Sequence, residues 1–288
     1  MFNTYSIRLI ALFFMFTSPG LKAQVDEDYL RQHAVMIDRP ERLSDSIYTQ
    51  LSPFQLILMG EIHGSNESAP FVQGLTQLFL DKGDSVLLGL EIPPGQMALF
   101  LAQHTDSSLY ASAFFASPAF KSGKESEAWA GLILTWKDDP RVHIFFYDVD
   151  NGEGESWERD RRMAAKIKEE VLRRPHWKMV ALGGNYHNII YEADNLYGWL
   201  KDDKDLRAAG KICALNMEYQ RGAYRANFGE GLEEKEVGRK PTAVDTTLDR
   251  QSYFVLVSPN SGYAYQGYYY TEVITAAKMV AERKTGRQ

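Results

Sequence analysis

Cysteine is almost absent from this chain of 288 residues, which contains only Cys213. A lone cysteine cannot form a disulfide within the chain, so a disulfide framework is excluded. Residues 211–215, which surround Cys213, form an apolar run that predicts a buried strand. Reactive thiols need an electropositive, partly exposed setting. We therefore interpret Cys213 as a core residue and not as a nucleophile.

Positive charge is also in short supply. The chain has 32 Lys and Arg against 38 Asp and Glu, a formal net charge of −6. Nucleic-acid binding requires a basic patch, so we expect no nucleic-acid partner. A hydrophobic fraction of 44% suits a soluble globular protein with a sizeable core. We expect residues 24–288 to form one α/β domain, and the oligomeric state stays open.

No apolar run is long enough to cross a bilayer, which takes about 20 residues. The apolar stretch near the start of the chain, Leu9 to Phe16, follows Arg8 and is broken by residues 17–20. Ala23 then offers a small residue at a cleavage position. This pattern predicts a signal peptide over residues 1–23, cut after Ala23, and a secreted or periplasmic protein without a stable membrane span. The alternative is a buried N-terminal helix.

Short apolar runs alternate with helical periodicity along the rest of the chain. Strands are predicted at about 54–59, 85–91, 142–147, 178–182 and 211–217, and helices at about 66–81, 156–172 and 192–201. This alternation predicts an α/β fold with an open, mostly parallel sheet flanked by helices. Residues 96–137 predict a helical insertion at the ligand end, either a pocket wall or lid, or a purely structural cap.

Different patterns follow toward the end of the chain. Residues 229–250 are polar and predict a long exposed loop, residues 253–257 predict a strand, and residues 271–284 predict a final helix. Five tyrosines precede that helix: Tyr263, Tyr265, Tyr268, Tyr269 and Tyr270. They predict an edge strand with half-buried rings, with a haem ligand as the alternative.

Two copies of the pattern Gly-x-x-His stand out among only six histidines. Residues 60–63 close one predicted strand with Glu61 and His63, and residues 184–187 close another with His187. Glu91 ends a third strand between them. Ligands in open α/β sheets bind outside the carboxyl ends of the strands. We therefore expect these four side chains to form one site, whereas each motif alone would suit a buried structural histidine.

Such a set supports two kinds of chemistry. His63, Glu91 and His187 match a catalytic metal site that leaves a position for water, with zinc, manganese or iron as the ion. Alternatively, one histidine is a metal-free general base held by a glutamate, and the other stabilises an oxyanion. Asp148 and Asp150 follow the strand at 142–147 and could lie near the same edge of the sheet.

The motifs resemble those of the superfamily that joins erythromycin-esterase-like, ChaN haem-uptake and Tiki/TraB proteins. The similarity lies in residues 60–67 (Gly-Glu-Ile-His-Gly-Ser-Asn-Glu), Leu90-Glu91, residues 159–164 (Arg-Asp-Arg-Arg-Met-Ala) and residues 184–187. The spacing of Glu61 and His63 is one residue shorter than in the esterases. The double histidine that often follows the ChaN motif is missing.

The resemblance implies a parallel α/β fold with its pocket at the strand ends. It also implies ester hydrolysis or metal-dependent peptide hydrolysis in two branches and haem binding in the third. Our interpretation is a hydrolase of an ester or amide bond in a small molecule, with Glu61, His63, Glu91, His187 and Arg159 in the site. The alternative is a haem- or iron-binding protein of the cell envelope. Asp160 is a weaker member of the set.

Overall fold

A computed structural model describes residues 25–117, 122–150, 156–209, 212–227, 232–237, 248, 251–258 and 262–284. The predicted signal peptide (residues 1–23) and most of the predicted loop at 229–250 lie outside the described residues. The single-domain organisation stays a prediction.

The described strands form one mixed sheet. They are β1 (Val35–Ile37), β2 (Leu56–Glu61), β3 (Val86–Leu90), β4 (Val142–Phe146), β5 (Lys178–Gly184), β6 (Ile212–Asn227), β7 (Leu232–Val237), β8 (Ser252–Leu256) and β9 (Gly267–Ile274). Their order is β1-β8-β9-β6-β2-β5-β3-β4, with β7 paired to β6. The run from β9 to β4 is parallel, and β1, β7 and β8 pair antiparallel. The predicted open, mostly parallel α/β sheet is confirmed.

Helices cover both faces of this sheet. They are α1 (Glu27–His33), α2 (Asp45–Leu51), α3 (Ser68–Asp81), α4 (Ala98–Gln103), α5 (Asp106–Tyr110), α6 (Ala113–Ala116), α7 (Glu127–Trp136), α8 (Ser156–Arg173), α9 (Leu196–Asp202) and α10 (Lys204–Ala209). Alternate residues of β2 enter two cores, because successive strand residues point to opposite faces. Ile57 and Met59 pack with α3 and α7, whereas Leu56 and Leu58 pack with α8 and α9. None of the described helices is long and apolar enough to span a membrane.

The insertion contains the short helices that the sequence predicts. A 3-10 turn (Pro94–Met97) leads into α4, α5 and α6, and α7 begins at Glu127. Ser126 caps α7 by accepting a hydrogen bond from the Trp129 backbone N–H. This cap fixes the first turn of α7 and with it the position of Trp129, which contacts Glu61.

Two predictions for the last third of the chain are wrong. The loop expected at 229–250 contains strand β7, which pairs antiparallel with the far part of β6. Its four central residues, 233–236, are all charged and mostly exposed, so the alternation of apolar and polar residues that signals a strand is missing. The helix expected at 271–284 is also wrong. Residues 271–274 complete β9, and the described residues after them, 275–284, contain a 3-10 turn (Val280–Lys284) and no α-helix.

The tyrosine-rich segment is an inner strand and not an edge. Strand β9 lies between β8 and β6, so both of its edges are paired. Both faces are covered as well, because Tyr269 packs in one hydrophobic core and Tyr268 and Tyr270 pack in another. Tyr268, Tyr269 and Tyr270 are each at most 2% exposed. The prediction of half-buried rings on an edge is therefore wrong, because aromatic residues fit an inner strand when helices or loops cover both faces.

The loop after β2 is held by two distant parts of the chain. The Gly64 carbonyl accepts hydrogen bonds from the backbone N–H of Arg225 (3.0 Å) and of Ala277 (2.8 Å). Gly64 has a φ of +81°, and a Cβ there would lie 1.9 Å from the Arg225 carbonyl oxygen. Only glycine fits such a position. The Val280 N–H in turn donates to the Glu125 carbonyl (3.1 Å). Residues 277–280 therefore connect the loop after β2 to the insertion.

Candidate active site

The carboxyl ends of four adjacent strands bring the predicted site residues together. Glu61 ends β2 and His63 follows it, Glu91 follows β3, and His187 lies in the 3-10 turn after β5. Asp148 follows β4. Because parallel strands end at the same edge of a sheet, residues far apart in sequence meet there.

The first pair is His63 with Glu61. His63 Nδ1 lies 3.0 Å from Glu61 Oε1, and Trp129 Nε1 donates to Glu61 Oε2 over 3.4 Å. A carboxylate only accepts hydrogen bonds, so this contact places the proton on Nδ1 and leaves Nε2 as the basic nitrogen. Glu61 is 1% exposed, and its burial raises the pKa of the carboxyl group.

The second pair is His187 with Asp160. His187 Nδ1 lies 2.9 Å from Asp160 Oδ2, which also accepts the backbone N–H of Leu196. Asp160 comes from α8 and is 5% exposed. Both histidines therefore have the same arrangement, in which a buried carboxylate holds Nδ1 and leaves Nε2 toward the site. Second contacts of this kind fix the tautomer and the ring orientation.

Glu91 lies between the two imidazoles. Its Oε1 is 3.7 Å from Nε2 of His63 and 3.7 Å from Nε2 of His187. The same oxygen accepts hydrogen bonds from Lys124 Nζ (2.9 Å) and Arg159 Nη2 (2.7 Å). Burial alone would raise the pKa of Glu91, but Lys124 and the histidines hold this pKa well below its ordinary value.

The charge on Glu91 also acts on His63. Burial lowers the pKa of the His63 imidazole, but the carboxylates of Glu91 and Glu61 outweigh burial and raise this pKa above its ordinary value. Lys124 opposes them. The side chain of His63 is 27% exposed, so water reaches it.

Arg159 connects the acids to the second histidine. Its Nε and Nη2 bind the two carboxylate oxygens of Asp148, each over 2.9 Å, and Nη1 lies 3.2 Å from His187 Nε2. Burial lowers the pKa of Arg159, but Asp148 and Glu91 reverse this effect and raise the pKa. A guanidinium only donates hydrogen bonds, so Nε2 of His187 is the acceptor in this contact.

Two glycines make room for these groups. A Cβ on Gly184 would lie 3.1 Å from His63 Nε2 and 3.4 Å from His187 Cδ2, so the Gly184 backbone passes directly between the imidazoles. The Gly184 N–H donates to Glu91 Oε2 over 2.6 Å. A Cβ on Gly183 would meet the Tyr147 hydroxyl at 2.3 Å. Close packing of side chains against the backbone explains Gly184 in the second Gly-x-x-His motif and Gly183 just before it.

The donor set does not suit a divalent ion in this arrangement. The three residues predicted as metal ligands, His63, Glu91 and His187, share one region, but two cationic side chains bind the central carboxylate oxygen of Glu91. An ion placed there would meet both positive charges at short range. No group of three or more His, Cys, Asp or Glu among the described residues could hold a metal ion.

Sequence reasoning missed two members of the site, and both come from the insertion. Lys124 is 4% exposed and binds Glu91, and Trp129 is 1% exposed and binds Glu61. The insertion therefore contributes to the site and is not a remote cap. Asp148 and Asp160, which were weaker candidates, also belong to the site. Asp150 instead accepts the Gly95 backbone N–H at 2.6 Å.

Comparison with known proteins places this site on a recognised fold. No protein-family model and no curated protein matches the sequence. A solved succinoglycan biosynthesis protein aligns over 88% of this chain and 97% of its own, with a TM-score of 0.58 and 9% identity. A mutant of the erythromycin esterase EreC aligns over 83% and 96%, with a TM-score of 0.53 and 12% identity. The chain therefore has an erythromycin-esterase-like α/β fold, as the motifs imply.

Two further solved structures resemble the chain. A protein from Bacillus cereus covers 88% of this chain and 98% of its own, with a TM-score of 0.54 and 9% identity. The haem-binding ChaN of Campylobacter jejuni covers 61% of this chain at a TM-score of 0.43, a likeness too weak to bear on function. Identities this low establish the fold alone.

Proposed function

We propose that this protein hydrolyses an ester or amide bond of a small molecule by metal-free histidine catalysis. One observation carries the proposal. His63 and His187 each direct Nε2 toward Glu91 Oε1, and each is held at Nδ1 by a buried carboxylate. This arrangement is typical of general bases that activate a water molecule. The fold shared with an erythromycin esterase supports the same class of reaction.

The proposed reaction assigns one role to each group. His63 Nε2 takes a proton from water as the water oxygen attacks the carbonyl carbon, and Glu61 stabilises the resulting imidazolium. Arg159 stabilises the negative charge that develops on the carbonyl oxygen. His187, oriented by Asp160, holds the guanidinium through Nη1. The tetrahedral intermediate then collapses, and the proton on His63 passes to the leaving oxygen or nitrogen.

Haem binding is less well supported by the described residues. A tyrosine ligand was the expected feature of that alternative, and of the five tyrosines only Tyr263 is not buried. The phenols of Tyr265, Tyr268, Tyr269 and Tyr270 belong to residues at most 7% exposed. A large planar ligand could reach these four phenols only if the side chains that cover them moved aside.

The test is turnover by histidine variants on a panel of 4-nitrophenyl esters and 4-nitroanilides. We expect His63→Ala to lower kcat by about 10²–10⁴-fold, the usual contribution of a general base, and to change the melting temperature little. His143→Ala is the matched control, because His143 lies in β4 and pairs with Glu170 away from the site. Full activity of His63→Ala would contradict the proposal.

We also propose that the protein acts outside the cytoplasm after removal of residues 1–23. The support is the sequence pattern around Arg8 and Ala23. Intact-mass measurement of the protein recovered from the cell envelope or the medium tests this, with Gln24 expected at the new N-terminus.

A further inference from the structure

Two exposed tyrosines flank His187 in the sequence. Tyr186 immediately precedes His187 in the same 3-10 turn and is 79% exposed, and Tyr191 is 66% exposed. The other large hydrophobic side chains exposed in the described part of the chain reach at most 43%. Aromatic rings presented to solvent next to a reactive group provide flat, polarisable surfaces for a ligand.

A carboxylate lies on strand β6, which contacts the 3-10 turn that carries Tyr186. Glu218 is half-buried and lies on β6, two residues beyond the last register pair with β2, Gly60↔Asn216. Its Oε1 accepts a hydrogen bond from Asn216 Nδ2 over 3.0 Å. Strand β6 continues past the end of β2, so Glu218 stands above the edge of the sheet that carries His63.

The orientation of Asn216 leaves an acceptor unused. Asn216 is 3% exposed, and its Oδ1 is buried without a hydrogen-bond partner among the described residues. If the Asn216 amide were flipped so that its oxygen and nitrogen exchanged places, Oδ1 would face the Glu218 carboxylate in place of Nδ2. The hydrogen bond to Glu218 would then be lost, because a carboxylate needs a donor. A buried unsatisfied polar atom calls for an explanation in a native structure. Holding Glu218 in place supplies one.

Several contacts connect Glu218 to the 3-10 turn that carries His187 (Asn185–Asn188). A Cβ on Gly60 would lie 2.9 Å from Asn185 Cα and 3.0 Å from Asn216 Oδ1, so the two asparagines pack against the same glycine. The Tyr265 hydroxyl donates to the Asn185 carbonyl over 3.1 Å. Burial raises the pKa of Tyr265, and the negative charge of Glu218 adds to this rise, followed by smaller effects of neighbouring tyrosines that include Tyr191 and Tyr186. Glu218 therefore lies beside this turn, since Asn216, which binds Glu218, packs against the same glycine as Asn185, the residue before Tyr186. Tyr191 follows Ile190, whose N–H donates to the Ala264 carbonyl (2.9 Å) next to Tyr265.

The charge of the whole edge favours a cation. Five carboxylates lie around it and three cationic side chains bind them or their backbone: Glu61, Glu91, Asp148, Asp160 and Glu218 against Lys124, Arg159 and Lys166. A cleft with an excess of one charge raises the local concentration of ligands of the opposite charge.

We propose that Glu218, Tyr186 and Tyr191 form a subsite for the ammonium group of a cationic substrate, an amine-bearing ester or amide. A cation gains energy from a carboxylate and from the faces of aromatic rings, and a neutral group of the same shape gains neither. That this cationic ligand is a substrate rests on the proposed hydrolase function. Binding of the ammonium group itself does not depend on it.

The test measures binding in the His63→Ala variant of the protein, which separates recognition from turnover. The probes are choline and its neutral isostere 3,3-dimethylbutanol, compared by ligand-observed NMR titration. We expect choline to bind more tightly than the isostere. Glu218→Gln should weaken choline binding by about tenfold and leave the isostere unchanged, and Tyr186→Leu should act in the same direction. Glu169→Gln is the control, because it removes a carboxylate from an exposed position on α8.

Each outcome decides one question. Equal affinity for the two probes, or no response to Glu218→Gln beyond that of Glu169→Gln, would overturn the cation subsite. Activity on neutral esters without preference for cationic ones would overturn it while leaving the hydrolase proposal intact. Choline binding that depends on Glu218, in a protein without hydrolytic activity, would support the subsite and refute the hydrolase proposal.

Discussion

Removal of the Lys124 charge is the sharpest test of how the insertion contributes to the site. Lys124 and Glu91 are 4% and 1% exposed, and Nζ lies 2.9 Å from Oε1. Breaking a buried ion pair by deleting one partner costs about 3–5 kcal/mol, because the other charge stays buried. Arg159 and the Gly184 N–H still bind Glu91, so we expect a cost of about 3 kcal/mol for Lys124→Met, at the low end of that range.

Thermal unfolding measures this loss directly. A cost of about 3 kcal/mol corresponds to a fall in Tm of about 6–12 °C for a domain of this size. Lys168→Met is the matched control, because Lys168 pairs with Asp203 and Asp205 at the surface and its side chain is 29% exposed. Surface pairs contribute about 0–1 kcal/mol.

The double variant Lys124→Met/Glu91→Gln gives a second readout. It should be more stable than Lys124→Met alone, because it also removes the buried carboxylate that has lost one of its two cationic partners. The pH dependence has a definite sign. The pKa of Glu91 is lowered on folding, so its ionised form adds stability above its ordinary pKa of 4.5, and this stability is lost as the pH falls further.

The stability difference between the protein and Lys124→Met should therefore be largest near neutral pH and shrink below 4.5. A Tm for Lys124→Met equal to that of Lys168→Met would refute the reasoning. So would a double variant that is less stable than the single one by the full cost of a second substitution.

Three further predictions concern the chemistry of the site. The pKa of His63 is raised above 6.5, mainly because Glu91 outweighs burial, and only its neutral form is a base. The pH profile of kcat/KM should therefore fall on the acidic side at a pH above 6.5, and a limb below that value would contradict the assignment. Gly184→Ala would place a methyl group 3.1 Å from His63 Nε2, and we expect kcat to drop by about 10²-fold through misplacement of the imidazole. Unchanged kcat would show that the added methyl group does not displace the catalytic imidazole. Dialysis against a chelator should leave esterase activity unchanged because Lys124 and Arg159 neutralise Glu91, and activity lost with EDTA and restored by Zn²⁺ or Mn²⁺ would restore the metal hypothesis.

Elements with a strong local signal were predictable from the sequence. Burial leaves a direct pattern in the sequence. It produces the apolar runs of β2, β3 and β5, and the helical spacing of Phe71, Leu75 and Leu78 in α3. The strand ends then placed Glu61, His63, Glu91 and His187 at one edge. Topology alone was enough for that step, because parallel strands end together.

Features that depend on packing between distant segments were not predictable. Lys124 and Trp129 reach Glu91 and Glu61 only because α7 lies over the end of the sheet, and neither residue has a motif of its own. Strand β7 is charged on its exposed positions, so it lacks the alternation that signals a strand. The tyrosines of β9 are buried by layers that come from other parts of the chain.

The two hydrogen bonds to the Gly64 carbonyl affect the order in which the parts of the site can fold. The pairs among β2, β3, β4 and β5 need nothing beyond residue 184, so that part of the sheet can form while the chain is still being made. The loop that follows His63 cannot take its final shape until Arg225 and Ala277 arrive, because both bind the same oxygen. Most of the chain must therefore be synthesised before His63 is in position. The proposed catalytic site is complete only late in the synthesis and folding of the protein.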